Sequence, residues 1–72
     1  MPWMDCEVKQ AGPGEFGNMN ILLKNKSEEK WYKSDPSIAQ SVLLVALAAI
    51  THKKGVNVGY YDDKIVAFYL KA

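Results

Sequence analysis

Arginine is absent from these 72 residues: all nine basic side chains are lysines, set against eight acids for a net charge of +1. The guanidinium fork that clamps phosphate or carboxylate is therefore excluded. A chain this neutral also lacks the electrostatic footprint of tight, nonspecific nucleic-acid binding. Cysteine is scarce as well. With Cys6 alone, an intrachain disulfide and all-cysteine zinc sites are ruled out, and Cys6 reads as a small buried hydrophobe. The single histidine, His52, stands beside Lys53 and Lys54. There a positive helix terminus is a better use for it than general-base catalysis. The longest apolar run, Val42 to Ile50, has nine residues, too few to span a bilayer. Met1-Pro2-Trp3-Met4-Asp5 lacks the charged and apolar regions of a signal peptide. The expected compartment is secreted or periplasmic if a leader was removed, and cytoplasmic otherwise.

What is present is globular. Apolar residues make up 49% of the chain, charged residues 24% and aromatics 11%, a composition for one packed domain over residues 1–72. Asp5 to Gln10 alternates, with Cys6 and Val8 on one face, and predicts a half-buried strand. Ala11 to Gly17 holds three glycines and a proline and predicts a loop. Asn18 to Lys24 is a second strand with Met19, Ile21 and Leu23 inward, and Asn25 to Glu29 a polar turn. Lys30 to Lys33 is a short third strand with Trp31 and Lys33 on one face and Tyr32 on the other.

The period then changes. Ser34-Asp35-Pro36 predicts a helix start, with an acidic N-cap and proline in the first turn. Ile38, Val42, Ala46 and Ala49 form one stripe, Leu43, Leu47 and Ile50 an adjacent one, and Gly55 is the expected left-handed stop. Val56 to Tyr61 alternates again, Asp62-Asp63 makes a turn, and Lys64 to Leu70 is a last strand. That strand is apolar on both faces: Ile65, Ala67 and Tyr69 on one, Val66, Phe68 and Leu70 on the other.

Three strands, a helix and two strands predict a small β-barrel with one α-helix, OB-fold-like, in the order β-β-β-α-β-β. A curled sheet crossed by the helix is the alternative. A domain of this size buries only about 60% of its unfolded surface. No disulfide or metal reinforces it, so a second copy is the expected help. Leu44, Val45 and Ala48 lie off the core stripe, and a helix apolar most of the way round is buried on more than one side. They, with Val66 and Phe68 on the surplus face of the last strand, are the expected subunit contacts of a homo-oligomer.

Trp31-Tyr32-Lys33, the helix segment Leu43 to Ala49, the Lys53-Lys54-Gly55 stop and the Val56 to Tyr61 strand carry a further signal. In that pattern, from Trp31 to Leu70, the chain resembles the pentameric B subunits of bacterial AB-type toxins, in their subtilase-like and pertussis-like branch. The resemblance implies an OB-fold ring of five with a central helix bundle, cell-surface glycan binding and a separate A-type partner chain. The chain is shorter than those subunits and lacks the paired cysteine that many of them use.

Glycan binding needs a flat aromatic and polar groups for hydroxyls. Trp31, Tyr32 and Lys33 with Asn18 and Asn20 form one candidate set, and Tyr60, Tyr61, Asp62 and Asp63 another. Asp62-Asp63 is more often a plain turn, and Trp31 and Tyr60 are more often core or subunit-contact residues. Lys24, Lys26, Lys30 and Lys33 near Trp31 leave a single-stranded nucleic-acid binder as the alternative. A purely structural oligomer is the third reading. No cofactor, metal spacing or phosphate loop is evident. The carboxylate pairs Glu28-Glu29 and Asp62-Asp63 lack the desolvation that catalysis needs, so the chain is expected not to be an enzyme.

Overall fold

The structure, a computed structural model, describes residues 2–72. Its elements run β1 (Trp3–Pro13), β2 (Met19–Asn25), β3 (Glu28–Ser34), α1 (Ala39–His52), β4 (Gly55–Tyr61) and β5 (Lys64–Leu70). The strands close into a barrel in the order β1-β2-β3-β5-β4. A small β-barrel with one helix between its third and fourth strands is thus what the chain forms.

Alternation builds the core. Cys6 and Val8 of β1, Met19, Ile21 and Leu23 of β2, Tyr32 of β3, Val56 and Val58 of β4 all point inward and are buried. β1 is the longest strand and serves both halves of the barrel. Its first part pairs with β4 from Trp3 opposite Gly59 to Glu7 opposite Gly55. Its second part pairs with β2 from Glu7 opposite Lys24 to Pro13 opposite Met19. The expected loop at Ala11 to Gly17 is therefore shorter than its composition suggests. β1 continues to Pro13, where β2 holds it, and only Gly14 to Asn18 turn. Gly17 takes φ 79° there, a backbone shape that glycine adopts without strain.

Two bulges break the alternation. Val8 faces Leu23 while Gln10 faces Leu22, so Lys9 is an extra residue. On β5, Ile65 faces Tyr60 and Ala67 faces Gly59, so Val66 is extra. A bulge flips the side-chain phase beyond it. Ile65 and Phe68 consequently both reach the core, while Tyr69 turns outward. Phe68, expected at a subunit contact, is 8% exposed and packs inside its own barrel. Val66 and Leu70 stay at the surface.

The helix starts later than the sequence suggests. Pro36 to Ile38 form a turn, with the Ile38 N–H donating to the Asp35 carbonyl at 3.2 Å. No side chain caps the N-terminus. The Asp35 carboxylate is instead engaged by the Lys64 ammonium at 2.9 Å. At the other end Lys53, not Gly55, takes the left-handed position at φ 53°. Its N–H and that of Lys54 donate back to the Ile50 and Ala49 carbonyls, which satisfies the last turn two residues before glycine is reached.

The helix packs by its small residues. Ala39, Val42, Ala46 and Ala49 are buried, and their short side chains let the backbone sit close to the barrel. Leu43, Val45 and Ala48 are half-buried. Leu44 is 65% exposed, and Leu47 and Ile50, expected beside the core stripe, are also outside. Among the described residues no helix is long and apolar enough to cross a membrane.

Candidate ligand-binding site

β2 and β3 form a hairpin in tight register, with Asn20 opposite Lys33 and Leu22 opposite Trp31. Residues directly opposite each other share a face. With Ile21 and Tyr32 turned inward, Asn20, Leu22, Trp31 and Lys33 occupy the outer face. Trp31 is 51% exposed, so of its two expected roles the core one falls away. Tyr32 is not on this face: it is buried, its hydroxyl lies 3.8 Å from the Met4 sulfur, its ring meets that of Tyr60 edge-on, and it lines a separate hollow of about 270 Å³ with Lys30 and Tyr60. Burial pushes the Tyr32 phenol above its ordinary value, helped by Tyr60, Cys6 and Glu28.

The Asn18 amide donates to Asn20 Oδ1 at 2.8 Å. This pair joins two shallow hollows. One, of about 220 Å³, is lined by Gln10, Ala11, Gly12, Pro13, Asn20 and Trp31. The other, of about 260 Å³, is lined by Phe16, Asn18, Lys33, Ser34, Asp35, Pro36 and Lys64. Together they make one surface with Trp31 at one end and Phe16, 84% exposed at the loop tip, at the other.

The second expected cluster approaches this surface through Lys33. The Lys33 N–H donates to the Asp63 carbonyl at 2.9 Å, and its ammonium lies 3.9 Å from the Asp63 carboxylate. β3 and β5 run parallel there, with Lys33 opposite Lys64 and Ser34 opposite Ile65. Asp62 sits in the β4–β5 turn at φ 52°, a left-handed shape that aspartate tolerates. Tyr61 is exposed beside it. Neither Tyr61 nor Asp62 lines either hollow. Gln10, Phe16, Asp35 and Lys64 do, and sequence reasoning missed them. Phe16, an aromatic inside a glycine-rich loop, was the one available signal.

The charges of this surface are balanced. Lys33 is near Asp63 and Lys64 is on Asp35. What remains is amide groups, paired charges and two flat apolar ends. A larger hollow, about 480 Å³, lies elsewhere, beneath the helix C-terminus. Among its lining residues, Glu7, Val8, Lys9, Ala49, Ile50, Lys53, Lys54 and Gly55, there is no aromatic. Among the described residues no group of three His, Cys, Asp or Glu side chains is placed to hold a metal ion. No protein-family model, curated protein or solved structure matches this chain, so the reading of this surface rests on its own geometry.

Proposed function

We propose that the chain is a non-enzymatic, OB-fold-like binding module that works as a homo-oligomer and presents the outer β2–β3 face to a surface glycan. The observation that carries this reading is the alignment of Trp31, Asn20, Asn18 and Lys33 along two joined hollows. OB-folds bind ligands on strands 2 and 3 and on the loops joining strands 1–2 and 4–5; β2, β3 and the β1–β2 loop supply this surface, joined by the end of β1 and by Lys64 at the start of β5. Sugar rings offer an apolar face to an aromatic and hydroxyls to amides. The paired lysines favour such a neutral ligand over a polyphosphate, whose binding draws on unpaired cations.

Two features support self-association. Leu44, Leu47 and Ile50 form an exposed apolar stripe on the helix. Among the described residues β3 and β5 pair over two residues, so Glu28 to Tyr32 and Val66 to Leu70 have open edges. Such edges are templates for a neighbouring strand. A ring of five is the assembly that the toxin-subunit resemblance implies. Joined weak sites gain avidity of about 10²–10⁴.

A glycan array with wild type and Trp31→Ala, run beside a salt-dependent oligonucleotide titration, tests the ligand. At least one glycan whose signal is lost in Trp31→Ala, whatever other glycans that variant still binds, supports the proposal. Oligonucleotide binding that weakens with salt, with a blank array, replaces it with the nucleic-acid reading. Native mass spectrometry tests the assembly: a species at five times the chain mass supports the ring, and a monomer removes it.

A further inference from the structure

The outer face of the β1–β4–β5 half of the barrel carries a second aromatic and polar cluster that shares no residue with the first. Asp5, Asn57 and Tyr69 lie in one row across the three strands, and Trp3, Gly59 and Ala67 in the next. The Trp3 and Tyr69 rings stack with centroids 5.8 Å apart and planes 13° from parallel. Both are open to solvent, Trp3 at 45% and Tyr69 at 61%. Beside them the Asn57 amide donates to Asp5 Oδ1 at 2.8 Å, and the Lys71 ammonium lies 3.5 Å from the same oxygen. The Asn57 hydrogen bond first, then the Lys71 charge, hold the Asp5 carboxyl below its ordinary range. Among the described residues both contacts fall on Oδ1, so Oδ2 keeps its capacity to accept.

We propose that this cluster is a second carbohydrate site, for a neutral pyranoside. The sugar lays its C–H face on Tyr69, which Trp3 backs by stacking. Hydroxyls donate to the Asp5 carboxylate, and Lys71 donates to a ring or hydroxyl oxygen. The polar rim selects this occupant. An apolar protein surface would strip water from the Asp5 carboxylate without replacing its hydrogen bonds, whereas sugar hydroxyls replace them. A nucleic acid would bring phosphates against that carboxylate. The stacked pair provides the flat, rigid apolar area, and it costs little to order because the rings already hold each other.

The Trp31→Ala protein isolates the test, because Trp3 is then the chain's one tryptophan and its fluorescence reports this face alone. Methyl glycosides of neutral hexopyranoses are titrated into that protein one at a time at millimolar concentration. The expected result is a saturable Trp3 signal with at least one glycoside, weakened about tenfold or more by Asp5→Ala and abolished by Tyr69→Ala. A flat signal across the panel overturns the proposal. So does a signal that survives Asp5→Ala and Tyr69→Ala, or a change of oligomeric state in Tyr69→Ala, which would make this face a contact between copies. Failure here leaves the array result for Trp31 untouched, and failure there leaves this titration readable.

Discussion

Gly14 and Asn18 close the β1–β2 loop on each other: the Gly14 N–H donates to the Asn18 carbonyl at 2.7 Å, and a side chain on Gly14 would collide with the Asn18 amide. The bare Cα is what lets that amide lie where it reaches Asn20. Gly14→Ala is therefore expected to displace the Asn18 side chain, which is flexible, rather than to unfold the barrel. Ligand affinity on the β2–β3 face should fall severalfold, with the melting temperature nearly unchanged. Calorimetric titration beside a thermal melt checks it; a collapse of the melt instead would make the glycine structural.

Ala46 and Leu47 invert the usual order of a helix, the small residue being wholly buried and the large one half exposed. Enlarging the inner residue is expected to do harm and shrinking the outer one little. Ala46→Leu should overpack the contact with the barrel and cost about 1–3 kcal/mol in denaturant unfolding. Leu44→Glu with Leu47→Glu should leave the monomer folded and split any oligomer, read by light scattering after gel filtration. If the double variant keeps the wild-type mass, the stripe is not the contact.

Burial, with the Asp5 charge adding to it, pushes the Cys6 thiol from its ordinary value of 9.0 up to about 11. The folded protein then holds a proton that the unfolded chain releases, so this group's stabilisation is full below pH 9.0 and is lost as pH rises toward about 11. Unfolding midpoints should drop over that window in wild type and drop less in Cys6→Ala. At neutral pH the thiol should stay unreactive toward a disulfide reagent until denaturant is added. Rapid native labelling would show that the thiolate forms in the folded state.

The order of elements was legible because strand alternation and the helical run are local signals. Met19, Ile21 and Leu23 alternate cleanly, as do Val56 and Val58, and all are core. Alternation fails past Lys9 and Val66, where each bulge inserts a residue that no local pattern marks. That is why Phe68 was placed outside. On the helix the core stripe through Val42, Ala46 and Ala49 was legible and is buried, but its width was not: Leu47 and Ile50, expected beside it, lie outside. A helix apolar nearly all round has no contrast from which to read the width of its buried face, and packing distance then selected alanines over leucines. In the candidate site, Asn18, Asn20, Trp31 and Lys33 were legible as one face of a hairpin. Their meeting with Asp35 and Lys64 was not, because it depends on the β3–β5 pairing between strands far apart in the chain.

That pairing makes the barrel a cuff with a narrow clasp. Its other strand junctions run five residue pairs or more, while this one rests on two. Local opening follows the weakest ladder, so backbone amides of Glu28 to Tyr32 and Val66 to Leu70 that face the gap should exchange with solvent ahead of those between β1 and β2. Lys33 stands at the clasp itself. A ligand gripping both sides of it would hold the cuff shut, and slower exchange at residues the ligand never touches would be the mark of its arrival.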